Sequence, residues 1–556
     1  MVKFQEEKTE RRIALLQQKE EEESAKILSQ KYKIPYADLA PFPIESDALK
    51  LVPEDGARRA ALAVFQSTGK RIKIGVRNPE KDETRALLNK LREDGYDYEL
   101  FLVSRKSLER AWNLYKKIRQ ENETEAGDIQ IHEERLQTIQ GEIKNLNHLR
   151  ERIEKNFLGR TTEVLEIILA GALSIDASDI HLEPQSDEKV RLRLRMDGVL
   201  QDIIALPSRP YRLLLSRIKL ISELKLNIRD RAQDGRFTIK TPEADIEVRT
   251  STLPGPYGEN VALRVLNPKI IQIPFGELGM QPWMIKTMEE GLRRPNGMIL
   301  TTGPTGSGKT TTLYAFIKKI STPGIKVITI EDPIEYHITG VEQTQTDTEK
   351  GYDFANGLRS ILRQDPDVIL VGEIRDLDTA ETAIHAALTG HLVFSTLHTN
   401  NAAGTIPRLL DLGVRPTIIA PAINVSMAQR LIRKLCGECR QEVKEGAALK
   451  KKIKRELSLF YAGNDIIPDE KNWKLFEASA HGCLVCNNTG YKGRLGIFEM
   501  ILVDENVEHL ILKEPSEFEI KKEALRQGQI TMRQDGILKI LTGITDFAEL
   551  ERVVGS

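Results

Sequence analysis

No stretch of the 556-residue sequence approaches the roughly 20 consecutive apolar positions needed to cross a bilayer. The opening MVKFQEEKTERR has charges where a signal peptide needs an apolar run. A cytoplasmic protein is therefore expected, peripherally associated with the cytoplasmic membrane only through partners. Net charge is also missing, since 81 Lys and Arg stand against 82 Asp and Glu. That balance gives no reason to expect nucleic acid or an acidic lipid surface as the main partner. Cysteine is scarce: four residues, confined to the pairs Cys436/Cys439 and Cys483/Cys486. A reducing compartment argues against reading these pairs as disulfides. The remaining composition, 29% charged and 40% hydrophobic, is that of an ordinary folded protein. The length exceeds a single hydrophobic core, so three or four domains are expected.

Residues 1–25 are dense in Glu, Lys, Arg and Gln, which reads as a charged helical tail, solvated or frayed. Residues 26–120 have a globular pattern and form an expected N-terminal α/β domain. In it AKILSQKYKIPYADL reads as a helix and turn, LVPEDGARRAALAVF as a helix and RIKIGV as a strand. Residues 121–158 place Leu136, Ile139, Ile143, Leu146, Leu149, Ile153 and Phe157 at spacings of three and four. That is one stripe of a long linker helix, lying on its neighbouring domain or forming a coiled coil with a partner. Residues 159–267 mix strands with the amphipathic helix YRLLLSRIKLISELKL, and VRLRLRMDGVLQDI reads as a hairpin with DG at its turn. From 268 to 556 the order is helix, buried strand, Gly-rich turn, helix, repeated, as in a parallel α/β sheet.

The strongest motif is MILTTGPTGSGKTTTLY. Gly303, Pro304, Thr305, Gly306, Ser307, Gly308, Lys309 and Thr310 fit G-x-x-x-x-G-K-[ST], and Thr311 continues into a helix. Its glycines let backbone N–H groups encircle phosphate oxygens at a helix N-terminus. Lys309 would put positive charge on the β/γ-phosphates of ATP, and the Thr310 hydroxyl can ligate Mg²⁺. Downstream, the buried strand Val368–Val371 ends at Gly372–Glu373, where Mg²⁺ or its water needs an acidic partner. Most such enzymes have Asp there. Between the two lies VITIEDPIEYH, a strand leading into Glu331, Asp332 and Glu335. This is either a hydrated turn or the carboxylate source for activating water. LTGHLVFSTLHTNNA places His391 and His398 on either side of a further strand, with Thr396 and His398 where a γ-phosphate sensor would sit.

Taken in order, the phosphate loop, EDPIEY, VGEIRD and TGHLVFSTLHT resemble the secretion-ATPase superfamily, whose members drive type II secretion and type IV pilus assembly. SDIHLEP (178–184), RMDGVL (195–200) and QDGRF (233–237) are similar to that family's domain before the motor core, and the resemblance covers roughly residues 26–556. It implies a RecA-like motor domain over 268–556, preceded by a small PAS-like α+β domain. It also implies a homo-hexameric ring with nucleotide between those two domains of one subunit. Two arginines of the preceding domain, Arg249 and Arg264, would reach the phosphates, Glu335 would activate water, and Glu373 would support the Mg²⁺. The implied partners are a polytopic inner-membrane platform protein, a cytoplasmic adaptor met by the N-terminal domain, and pilins or pseudopilins as indirect cargo.

LCGEC and GCLVCNNTGYKGR form two C-x-x-C knuckles inside a module at about 430–500. Four thiolates suit a closed structural zinc site. The long spacer is tolerable because loop-closure cost grows slowly with length. A redox pair is the rival, though neither pair opens a thioredoxin-like helix. By the resemblance, such a module marks the assembly and secretion branch rather than the retraction motors. A nucleic-acid translocase should carry a basic surface or a DNA-reading module, and neither is legible. A non-hydrolysing scaffold would lack one of the carboxylates Glu335 and Glu373, yet both are present.

Overall fold

The strands Gly297–Thr302, Val327–Glu331, Val368–Val371 and Leu392–Leu397 are buried at every position. Continuous apolar runs of this kind are required where helices cover both faces of a sheet. With Glu342–Gln345 at one edge, they pair in parallel in the order Glu342–Gln345, Val327–Glu331, Val368–Val371, Leu392–Leu397, Gly297–Thr302. Ile423–Leu435 adds in parallel to Gly297–Thr302, and Tyr491–Leu502 closes the far edge antiparallel. The helix Lys309–Ile320 packs on this sheet through Phe316, which lies edge-on to Phe275 at 5.6 Å and 6.3 Å from Phe394. Burying a side chain of that size contributes about 2–3 kcal/mol.

The computed structural model describes residues 21–39, 44–45, 48–49, 51–68, 70–122, 128–129, 139, 141–156, 161–241, 244–443, 447–458 and 467–555. It divides into two units, one ending at Asp128 and the other beginning at Ile129. The N-terminal unit has a three-stranded sheet, Leu62–Thr68 antiparallel to Arg71–Val76, which is parallel to Asp97–Leu102. The second unit holds the motor sheet and a largely antiparallel sheet. The latter runs Gln233–Ile239, Ile246–Leu253, Asn260–Leu266, Asp179–Pro184, Lys189–Met196, Val199–Pro207. Helices Thr161–Ser174 and Ser208–Ile221 supply buried apolar faces to the core of this sheet.

Two local expectations need correction. LVPEDGARRAALAVF is not one helix: helix Glu54–Arg59 stops, Ala61 turns at φ +45°, and Leu62–Thr68 is a strand. Pairing with Arg71–Val76 outweighs the helix preference of the alanines. Nor is the stripe from Leu136 a single helix, because the chain breaks at 143–145 and restarts as Leu146–Asn156. Asn145 causes the restart, its Oδ1 accepting from the His148 N–H at 3.0 Å as an N-cap. Ile139, Ile143, Leu149 and Ile153 are nonetheless buried in one core with the antiparallel sheet. Leu136, Phe157 and the tail up to residue 20 lie outside the described residues.

Candidate functional site

The loop between Thr302 and Lys309 owes its path to glycine. Gly303 has φ +145°, and a Cβ there would sit 2.5 Å from the Gln429 carbonyl and 2.8 Å from Ser307 Oγ. Gly308 caps the following helix at φ +86°. Thr305 to Thr311 line a cleft of about 650 Å³, while Gly303 and Pro304 shape the loop behind it. Lys309 Nζ donates to the carbonyls of Gly303 at 2.8 Å and Pro304 at 3.3 Å. Burial pulls the Lys309 ammonium below its usual range, and the nearby Glu373 and Glu335 carboxylates oppose that shift.

Of the three carboxylates after strand Val327–Glu331, two separate by environment. Glu331 is buried and its oxygens are engaged by Tyr314 Oη, Thr329 Oγ1 at 2.6 Å and Gln343 Nε2 at 3.1 Å, so it braces the strand end. Glu335 lines the cleft together with Thr310, whose hydroxyl helps hold the Glu335 pKa down. Burial raises its pKa above the ordinary glutamate value, against the pull of Arg249 and Arg264. A carboxylate poised in this way suits proton acceptance near neutral pH. Glu373 also lines the cleft, paired with Arg375 and with His398 Nε2 at 3.0 Å from its Oε2. Thr396 Oγ1 donates to the Gly372 carbonyl at 2.8 Å and also faces the cleft. His391 lies at the other end of the strand, its Nδ1 3.0 Å from the Ala386 carbonyl, outside the cleft lining.

The antiparallel sheet contributes a row of charge. Arg236, Arg249, Arg264, Asp179 and Arg195 are successive cross-strand partners, so they share one face. Asp179 separates the last two arginines, with Arg264 Nε and Arg195 Nε each at 3.1 Å. Arg249 reaches the motor core directly, its Nη2 donating to the Ile334 carbonyl beside Glu335 at 2.6 Å. Arg264 lines the phosphate-loop cleft, and Arg249 lines the adjoining cavity that shares Arg264, Arg195 and Pro333 with it. Sequence reasoning missed Arg195, Asp179, Arg375 and Arg494, which line the same cleft. Each sits in a quoted motif: RMDGVL, SDIHLEP, VGEIRD and YKGR.

The four cysteines meet where strand Ile423–Leu435 ends and Tyr491–Leu502 begins, beyond the edge pair of the motor sheet. Their sulfurs all lie within 4.8 Å of one another. Cys436–Cys483, Cys439–Cys486 and Cys483–Cys486 Sγ pairs are 3.8, 3.7 and 3.8 Å apart. A disulfide needs about 2.05 Å. Four sulfurs about 2.3 Å from a central ion at tetrahedral angles lie about 3.8 Å apart, so the cluster fits a metal. Burial pushes the Cys486 thiol up, but N–H donors of Cys483 and Gly490 at 3.1 and 3.2 Å prevail and bring it to about 7. Cys436 and Cys439 are pushed up by burial, a conflict that a cation would resolve.

The type II/IV secretion system protein family matches residues 155–552, and the MshEN domain matches residues 32–122. The type IV pilus assembly ATPase PilB of Myxococcus xanthus (strain DK1622) is 34% identical over 543 residues, covering 97% of this chain and 91% of its own length. The type II secretion system protein E of Aeromonas hydrophila is 42% identical over 394 residues, covering 70% of this chain and 75% of its own. Among solved structures, the Yersinia pseudotuberculosis ATPase DotB covers 71% of this chain and 93% of its own at 18% identity, with a TM-score of 0.50, a likeness of fold.

Proposed function

The chain belongs to the type II/IV secretion system protein family, and from that premise we propose that it is the ATP-hydrolysing motor for extruding a pilin or pseudopilin fibre. ATPase activity is the family's chemistry, and the motor reading follows the relatives over nearly the whole chain. Pilus assembly is the favoured setting, because the pilus relative aligns over 97% of this chain and the secretion relative over 70%. The observation that carries the reading is the single cleft joining Lys309, Thr310, Glu335 and Glu373 of the motor core to Arg264 and Arg195 of the preceding domain.

In this reading Lys309 and the amides of Thr305 to Thr310 hold the β- and γ-phosphates, competing with the Gly303 and Pro304 carbonyls for the ammonium. Thr310 and Glu373 would hold Mg²⁺, which when bound supplies charge neutralisation across the phosphate oxygens. Glu335 accepts the proton of the attacking water, and its raised pKa matches that task. Arg249 holds the Ile334 carbonyl and so sets the direction of Glu335, while with Arg264 it offers guanidinium to the transferring phosphoryl group. His398 reads the γ-phosphate through the carboxylate it already touches, Glu373. The cysteine cluster would hold a structural Zn²⁺, whose thiolate softness and closed four-ligand set suit that ion.

By the same reading the motor is a cytoplasmic homo-hexamer acting on a polytopic inner-membrane platform protein. Residues 26–120 dock a cytoplasmic adaptor, and the described helices include none long and apolar enough to cross a membrane. The purified full chain should hydrolyse ATP with Mg²⁺, and Lys309→Ala should remove that activity. Lys309→Ala turnover equal to the parent's would overturn the site assignment. Deletion of the gene should abolish surface pili; loss of exported enzymes with pili intact would move the protein to the secretion setting.

A further inference from the structure

Among the described residues, Asn487 and Gly493 hydrogen-bond the cysteine module to the domain that carries the arginines. Asn487 follows Cys486 directly in a left-handed turn at φ +54°. Its Oδ1 accepts from the Leu146 N–H at 2.8 Å, one of the four helix-start donors that have no partner within the helix Leu146–Asn156. Its Nδ2 lies 3.9 Å from Met196 Sδ, on the strand leading into the Asp197–Gly198 turn. From that turn Asp197 Oδ2 accepts from the Gly493 N–H at 2.9 Å. The neighbours of this second pair, Gly198 and Arg494, both line the phosphate-loop cleft. Arg195, one turn of chain away, donates from Nη1 to the Gly198 carbonyl at 3.3 Å.

We propose that Asp197 and Asn487 are positioning residues, a clasp through which the cysteine module holds the arginine-bearing domain over bound nucleotide. The cysteines explain why the module can serve as the fixed half. Cys483 and Gly490 amides both point at Cys486 Sγ, which ties down the turn presenting Asn487 and Gly493. The moving half is the helix start at Leu146 and the hairpin tip at Asp197, which meet at the Asn487 side chain and whose neighbours Leu149 and Met196 share the antiparallel-sheet core. Neither residue touches the phosphates; both act through where they place Arg195, Arg264 and Gly198. The inference rests on the reading that nucleotide occupies this cleft.

The test uses the full chain with Asp197→Gly and Asn487→Gly, singly and together. Both positions have positive φ, 47° and 54°, so glycine removes the acceptor without adding backbone strain, which alanine would introduce. Asp197→Asn and Asn487→Asp keep an acceptor oxygen and serve as rescue variants. A net hydrogen bond of ordinary strength shifts the closed-to-open ratio about fivefold, and two independent ones roughly thirtyfold. The ATP concentration for half-maximal turnover should therefore rise by about those factors, while kcat at saturating ATP stays within twofold because ATP itself drives closure. Amide exchange at Leu146 and Gly493 should accelerate with bound metal per chain unchanged, and the rescue variants should return both readouts toward the parent. Half-saturation within twofold of the parent in the double glycine variant, or a fall in kcat alone, overturns the clasp. The exchange measurement needs no turnover, so a parent inactive on ATP would refute the functional reading while leaving the clasp to be judged by exchange.

Discussion

Replacing Arg249 and Arg264 together tests whether hydrolysis depends on the arginine-bearing domain. Arg249 is one-quarter exposed and bonds the Ile334 carbonyl beside Glu335. A charge-assisted hydrogen bond in such a setting is worth about 2 kcal/mol, which is roughly thirtyfold in rate. Arg264 is 58% exposed and paired with Asp179, so solvent screening reduces its share to about tenfold. The product, about 300-fold in kcat, is a floor if the two act independently. Closure over phosphate dries the cleft and moves the loss toward the 10³-fold or more typical of arginine contacts in phosphoryl transfer. The assay is steady-state phosphate release by the full-length parent, the two single variants and Arg249→Ala/Arg264→Ala, with nucleotide affinity measured alongside. Affinity should fall less than tenfold, since Lys309 and the loop amides remain. Lysine at either position should restore only part of the rate, because a point charge does not reproduce the planar fork. A double variant turning over within tenfold of the parent would refute the reasoning.

Glu335→Gln should bind ATP but hydrolyse it about 10²–10⁴ times more slowly, measured as single-turnover product formation. The acid limb of kcat should lie above the ordinary glutamate range, because burial raises this carboxyl and the base is lost as pH falls through its pKa. Arg249→Ala should move that limb further toward neutral, since the Arg249 charge holds the pKa down. Metal analysis should find one Zn²⁺ per chain. Chelation or Cys439→Ser should accelerate amide exchange across 436–491 while nucleotide still binds, structural zinc contributing on the order of 10 kcal/mol in small sites. Gly303→Ala should cost about 3 kcal/mol of stability and abolish nucleotide binding, because its Cβ would meet the Gln429 carbonyl at 2.5 Å. Gly306→Ala should cost only about 1 kcal/mol, its Cβ having nothing within 4 Å and only the φ of +79° to strain it. Thermal unfolding of the two variants checks the contrast.

What could be read from sequence was what neighbouring residues determine. The phosphate loop is contiguous, and the buried strand before it announces itself as an apolar run. The cysteine pairs sit on short knuckles whose spacing is itself the signal. Arg249 and Arg264 are different, because nothing local distinguishes them from other strand arginines, and only the resemblance singled them out. Arg195, Arg375 and Arg494 escaped for the same reason. Arg494 enters the cleft from a strand that begins after the cysteine module, a juxtaposition set by the antiparallel pairing of Ile423–Leu435 with Tyr491–Leu502. The helix errors have a physical cause too. Helical spacing of apolar residues persists across the Asn145 break because both segments bury their faces in the same core. Ala60–Ala61 read as helix because alanine favours it, while the strand at Leu62 depends on a partner strand that periodicity does not see.

The distribution of charge links the two domains that line this cleft. Arg236, Arg249 and Arg264 stand directly opposite one another on adjacent strands, an arrangement that like-charge repulsion disfavours. Glu247 and Asp179 offset part of that repulsion, at 3.2 Å from Arg249 and 3.1 Å from Arg264. Glu335, whose pKa both Arg249 and Arg264 lower against the effect of burial, adds negative charge from the motor core. That charge also lies near Lys309 of its own domain. Holding the domains together therefore keeps these opposite charges near one another. A ligand shifts such an equilibrium only by its difference in affinity for the two states. On the proposed reading, ATP would carry one more phosphoryl group toward the arginine row than ADP, and so would favour the closed state more strongly. In the proposed motor, loss of that group on hydrolysis would weaken the closing force, which would couple bond cleavage to domain movement.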